Sequence, residues 1–426
     1  MIWIGAIICV LTFVGIILKF DTKLCLIAGG FLMCLLGGGV TQVVSAYCAS
    51  LINGSVVYIT CISMGYATIM NQMGCCDHLV YACLKPMSKI KGLVVPFSCL
   101  IGVVVMMGVG SAATCGTVAG SLLIPMMLSL GVSPATAGAA VLLSSGISIS
   151  INPGSSFVVM AVEADPTGVC TGKDIIDVGF LSCWVSLVVA VVLFTLISSF
   201  LDKGKKGETD ENLMAETLAK AAAFKVNGLY AIMPVVPLIL ILVANYTPLL
   251  DAKVFDVPTC MFLGWILAMI VFAKDYKKVT TMFFKGQGDA FFSIITLMAA
   301  AAVFTKGMSV IGITDALVNA MKSNPSIASL GACFGPLIIA ALSGSGNAAM
   351  IAFIDSVLPH AGEIGIPHDG LSALVLRTGN FGRTFSPVAA VTIICAGIAG
   401  ADPMDLCKRT AIPCLVISVL TMVMVV

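Results

Sequence analysis

Charge is scarce along this chain. Asp, Glu, Lys and Arg make up only 10% of the 426 residues, against 59% hydrophobic. With a mean hydropathy of +1.10 there is too little polar surface to cover a soluble globule, so the chain reads as an integral membrane protein. Histidine is almost missing. His78, His360 and His368 are the only three, and their spacing offers neither a metal-ligating cluster nor a catalytic set. No nucleotide-binding motif is present, so neither an intramembrane enzyme nor an ATP-driven pump is indicated, and no cofactor or metal is expected. A net charge of +1 gives no support to nucleic-acid binding. The 17 cysteines stand mostly alone in apolar runs, Cys9, Cys34, Cys99 and Cys414 among them, and read as small packing residues rather than disulfide partners.

What the chain does have is apolar sequence of helix length from end to end. None of it alternates like an outer-membrane strand, so the expected class is an all-α polytopic membrane protein. Candidate spans lie near 2–20, 24–46, 54–73, 178–201, 228–246, 257–274, 288–308 and 409–426. The first, Met1 to Phe20, lacks a basic leader and cleavage site and is expected to be a retained span. Basic residues gather at Lys19 and Lys23, at Lys85 to Lys91, in 202–225, at Lys274 to Lys285, and at Lys408 and Arg409. The positive-inside rule places these in the cytoplasm and both termini outside.

Two stretches, 92–165 and 327–400, do not fit simple spans. The run 110–134 can be laid on 344–368 without a gap, so that Gly110, Ser111, Pro125 and Gly131 fall on Gly344, Ser345, Pro359 and Gly365. The same shift of 234 carries Pro153 onto Pro387. Loop charge, which the alignment did not use, requires the second half to be the first turned upside down, and the chain is therefore expected to be two inverted repeats. Each repeat holds a re-entrant hairpin, 92–130 or 327–360, and a broken crossing helix, 135–165 or 368–400, the second broken near 379–387. The segment 202–227 reads as a cytoplasmic linker.

Breaks in the bilayer leave backbone groups unpaired, which is tolerated only where they line an enclosed cavity. Pro153 and Gly154 stop one helix and Pro387 the other; with the Gly-Ser hairpin turns they would bring helix ends together at one depth. Helix amino ends suit anions. Ser111, Thr114, Ser150, Asn152 and Ser155 in one half, and Ser345, Asn347, Thr378, Asn380, Thr384 and Ser386 in the other, supply hydroxyls and amides there. Arg383, inside an apolar segment beside the second break, is the first candidate to hold a substrate carboxylate, with Arg377 a weaker one. Asp355 could carry a proton or pair with an arginine. The pattern favours a secondary carrier of a small organic acid; a channel would need polar residues along a continuous pore.

At "GVGSAATCGTVAG", "SISINPGSS" and "ALSGSGNAAM" the sequence resembles the anaerobic C4-dicarboxylate transporter C family of the ion transporter superfamily. The resemblance implies a homodimer in the bacterial inner membrane. It also implies an elevator mechanism, in which a fixed scaffold, 1–84 and 228–310, flanks a moving transport domain, 85–201 and 311–426. The implied substrates are dicarboxylates such as succinate and fumarate. By position, their contacts would be Ser111, Ala112, Ala113 and Thr114; Asn152, Pro153, Gly154 and Ser155; Ser345, Gly346 and Asn347; and Thr384, Ser386 and Pro387, with Arg383. Ser150, Thr378, Asn380, Asp355 and Arg377 are candidates for ion or proton coupling. The Ser-Asn-Thr pairs of sodium-dicarboxylate carriers are replaced by Gly110-Ser111-Ala112 and Ser345-Gly346-Asn347, so proton coupling or exchange is expected as readily as sodium coupling. Another organic anion or an amino acid is the alternative substrate.

Overall fold

The computed structural model describes residues 2–18, 20–52, 54–84, 93–109, 111–148, 155–203, 224–251, 254–322 and 325–426. No strand occurs among them. The helices in chain order are α1 (Ile2–Ile17), α2 (Thr22–Leu36), α3 (Thr41–Leu51), α4 (Gly54–Gln72), α5 (Cys75–Leu84), α6 (Val94–Val109), α7 (Ala112–Ser129), α8 (Pro134–Ser148), α9 (Ser156–Glu163) and α10 (Gly172–Leu201). They continue with α11 (Gly228–Tyr246), α12 (Val257–Val271), α13 (Tyr276–Ala290), α14 (Thr296–Val310), α15 (Ile313–Lys322), α16 (Pro325–Ser343), α17 (Gly346–Ser356), α18 (His368–Thr384), α19 (Ala390–Ala399) and α20 (Pro403–Val425). Among the described residues five rods, Gly172–Leu201 and Ala273–Val310 among them, are long and apolar enough to cross a bilayer, and shorter apolar helices accompany them. This is a multi-pass, all-helical membrane protein.

Packing follows two groupings. α2 and α3 lie on α14, α4 lies on α13 and α12, and α5 lies on α11. The hairpin α6–α7 packs on α8 and α19, while the hairpin α16–α17 packs on α18, which α20 joins to α10. The region expected to be one span at 24–46 is two helices, α2 and α3, because Gly37, Gly38 and Gly39 intervene and Gly38 adopts φ +75°, where a side chain is strained. The span expected at 288–308 is longer. α13 and α14 run on through a π turn at Phe291–Ile295, a local widening that often marks a working region.

Three helix starts recur at one offset: Ala112 and Gly346, Pro134 and His368, and Ser156 and Ala390 are each 234 residues apart. Both arms of each expected hairpin are present. The second turn depends on Gly344, whose φ is +73° and whose added methyl would meet the Ala389 nitrogen and Val388 backbone at 3.0 Å. Gly344→Ala should therefore cost about 1–3 kcal/mol, read as a lower melting temperature in detergent; unchanged melting would contradict the strain.

One polar clasp ties helix ends together. Asp202, just past α10, accepts hydrogen bonds from Ser133 Oγ at 2.6 Å and Thr136 Oγ1 at 2.7 Å, at the start of α8. It also pairs with Arg409 of α20 at 2.5 Å, and both side chains are largely buried. Burial pushes the Asp202 carboxyl up, but the bonds from Ser133, Thr136 and Arg409 outweigh it and leave it below the usual carboxylate range. Asp202, the first residue of the expected linker, is thus held against α8 and α20.

Candidate functional site

A cavity of about 350 Å³ lies where the hairpin turns and the second helix break meet. Its size falls in the ~300–1,000 Å³ range of small-molecule sites. Four helices begin on it. Ser111, Ala112 and Ala113 open α7; Ser155, Ser156 and Phe157 open α9; Ser345, Gly346 and Asn347 open α17; Ala390 and Val391 open α19. Local sequence explains the starts: Ser111, Ser155, Ser345 and Ala389 all hold extended N-cap backbone, and none continues the preceding helix.

Each amino end carries roughly half a positive charge and unpaired N–H groups. Two ends are partly satisfied from within, since Ser155 Oγ accepts from the Phe157 N–H at 3.4 Å and Ser345 Oγ from the Ala348 N–H at 3.2 Å. The other two are not. Neither Ser111 nor Ala389 caps its helix through a side chain, and the two helices pack together close to these ends, where Gly116 lies against Val391. α7 and α19 thus present adjacent, uncapped donors.

Arg383 completes the charge. It stands in the last turn of α18, is 9% exposed, and lines the same cavity. Nη2 donates to the Ser145 carbonyl at 3.3 Å, and among the described residues Nε finds no acceptor. Among the described residues it has no carboxylate partner, and the described lining of the cavity contains no Asp or Glu. A buried guanidinium without a counter-charge is costly, and an anion in the cavity would relieve that cost.

The structure sorts the sequence candidates. Ser111, Ala112, Ala113, Ser155, Ser345, Gly346, Asn347 and Arg383 line the cavity together. Ser150, Asn152, Pro153 and Gly154 lie outside the described residues, between the end of α8 at Ser148 and the start of α9 at Ser156. Thr378, Asn380 and Thr384 lie within intact α18, because the helix runs on to Thr384 and breaks only at 385–389. Thr378 Oγ1 donates to the Leu374 carbonyl, Asn380 Nδ2 to that of Leu376, and Thr384 Oγ1 to that of Asn380. Thr114, Ser386 and Pro387 are near in sequence but are not among the lining residues. Arg377 points elsewhere: it donates to Ser182, to the Gly179 carbonyl and to Cys183 of α10, beside a small cavity of about 20 Å³. Asp355 lines a separate cavity of about 470 Å³ with Lys306 and Glu163. Sequence reasoning missed Thr60 and Ser63 of α4, and Ser293 and Ile294 of the π turn, which also line the cavity.

A helical, multi-pass membrane protein whose cavity is lined by helix amino ends and by a guanidinium without a carboxylate partner among the described residues has the make-up of a membrane carrier for anions. Comparison with known proteins gives the family. Residues 39–426 match DcuC, the C4-dicarboxylate anaerobic carrier, and the chain belongs to that family. An uncharacterized transporter of Haemophilus influenzae is 36% identical over 239 residues, which is 54% of this chain and 84% of that protein. The anaerobic C4-dicarboxylate transporter DcuC of Escherichia coli K12 is 28% identical over 376 residues, covering 85% of this chain and 78% of the relative. The family is one of transporters and not of enzymes.

Proposed function

We propose that this protein is a secondary active carrier of C4 dicarboxylates, such as succinate and fumarate, across the bacterial cytoplasmic membrane. The observation that carries the reading is the convergence of four helix amino ends and the unpaired Arg383 on one cavity whose described lining has no acidic residue. One carboxylate lies on Arg383 and the uncapped ends of α7 and α19. An amino acid is disfavoured, because its ammonium group would meet no acid there.

The repeated helix starts, each 234 residues apart, support an inverted repeat. The packing groups support a scaffold of 1–84 and 228–310 against a transport domain of 85–201 and 311–426, moving as an elevator in a homodimer, with both termini outside. Asp355, across a shared cavity from Lys306, is the candidate proton carrier, and coupling is to protons or to a counter-substrate. The test is uptake of labelled succinate into proteoliposomes against a panel of organic acids, with and without sodium and a proton gradient. Competition by fumarate and other C4 diacids, without a sodium requirement, is the expected result. Preference for monocarboxylates, tricarboxylates or amino acids would overturn the substrate, and strict sodium dependence would overturn the coupling.

A further inference from the structure

Hydroxyls in apolar helices ordinarily fold back onto the carbonyl one turn earlier. Here Thr12 donates to Ile8, Thr68 to Met64, Thr117 to Ala113 and Thr195 to Val191. Two hydroxyls on α4 depart from that habit. Thr60 is 1% exposed, and among the described residues its Oγ1 has no hydrogen-bond partner. Ser63 is half-buried, and its Oγ is likewise buried and unpartnered. Residues three apart share a helix face, and both line the 350 Å³ cavity that also holds Arg383 and the four helix ends. A buried hydroxyl left unpaired is unfavourable, and the neighbouring Ser293 shows the contrast, since its Oγ donates to the Asp289 carbonyl at 2.6 Å.

We infer that Thr60 and Ser63 form a subsite for the second carboxylate of the diacid, each hydroxyl donating to one of its oxygens. The inference rests on the dicarboxylate reading and deepens it. In the conformation described, a diacid bound this way bridges α4 of the proposed scaffold, which packs with α12 and α13, and the hairpin ends and α18 of the proposed moving domain, so its second carboxylate leaves α4 when that domain moves. A monocarboxylate of the same length can satisfy only the Arg383 end. α4 therefore supplies the discrimination between them, through donors that an acid lacking the second carboxylate leaves unpaired.

The experiment compares the full-length protein with a Thr60→Val/Ser63→Ala double variant in proteoliposomes. It reads the KM for labelled succinate and the concentration of butyrate that halves its uptake. The inference expects the succinate KM to rise about tenfold or more while inhibition by butyrate is little changed, so that selectivity for the diacid collapses. Thr60→Ser, which keeps the hydroxyl, should behave as wild type. A folded double variant with wild-type KM and selectivity would overturn the subsite, as would a Thr60→Ser protein as impaired as the double variant. If the double variant does not fold, Ser63→Ala alone decides: a lowered succinate preference supports the subsite, and an unchanged one refutes it. A wild type that takes up no C4 diacid would instead remove the underlying reading, and the inference with it.

Discussion

Arg383→Ala protein, reconstituted into liposomes, is expected to take up succinate at least about 100-fold less efficiently than wild type. The guanidinium lines the cavity, is nearly buried, and has an unpaired Nε–H with no carboxylate partner among the described residues. Charge-assisted bonds to a substrate carboxylate contribute about 1.5–3 kcal/mol each, and every 1.36 kcal/mol is a factor of ten, so losing a two-point contact removes two decades or more. Arg383→Lys should fare little better, because an ammonium cannot reproduce the planar fork. The fold should survive, since the side chain's described bond is a single one to the Ser145 carbonyl. Uptake at the wild-type rate by a folded variant would reject the role.

Asp202→Ala is expected to produce the largest loss of stability. Arg409 would be left buried beside Thr136 without its counter-charge, and breaking a buried pair from one side costs about 3–5 kcal/mol. The pH dependence has a definite sign. The Asp202 carboxyl lies below its ordinary value in the fold. Its contribution is therefore fully present above the unfolded value of about 3.9 and is lost as pH falls below it. Melting of the wild type should fall on acidification in that window, and Asp202→Asn, already weaker at neutral pH, should lose the Asp202 component of that fall. A variant that melts like wild type at pH 7 would show the clasp to be dispensable.

Much of this site was legible in the sequence because it depends on residues that break rules. A glycine-serine turn or a proline inside an apolar run has few packing explanations, and the starts of α7, α9, α17 and α19 fall where such residues predicted. Arg383 was legible for the same reason. Arg377 shows the limit of that logic. It is as conspicuous in the sequence, but six residues along a helix turn a side chain by roughly 120° to another face, and that face meets the Gly179 carbonyl of α10. Thr60 and Ser63 could not be singled out, because a lone hydroxyl in an apolar helix usually bonds its own backbone, and only the neighbours in space show that these do not. The bend at Gly37–Gly39 was visible as three glycines, yet hydropathy, which averages over a window, passed across it. Asp202 was assigned by its polar neighbours in sequence, whereas its partners come from α8 and α20.

The most direct test of the central claim is an experimental structure with succinate bound. The account predicts succinate in the cavity between α4 and the four helix ends, with one carboxylate within hydrogen-bonding distance of Arg383 and the first N–H groups of α7 and α19. Succinate lodged instead in the cavity of Lys306 and Asp355, with Arg383 untouched, would contradict it.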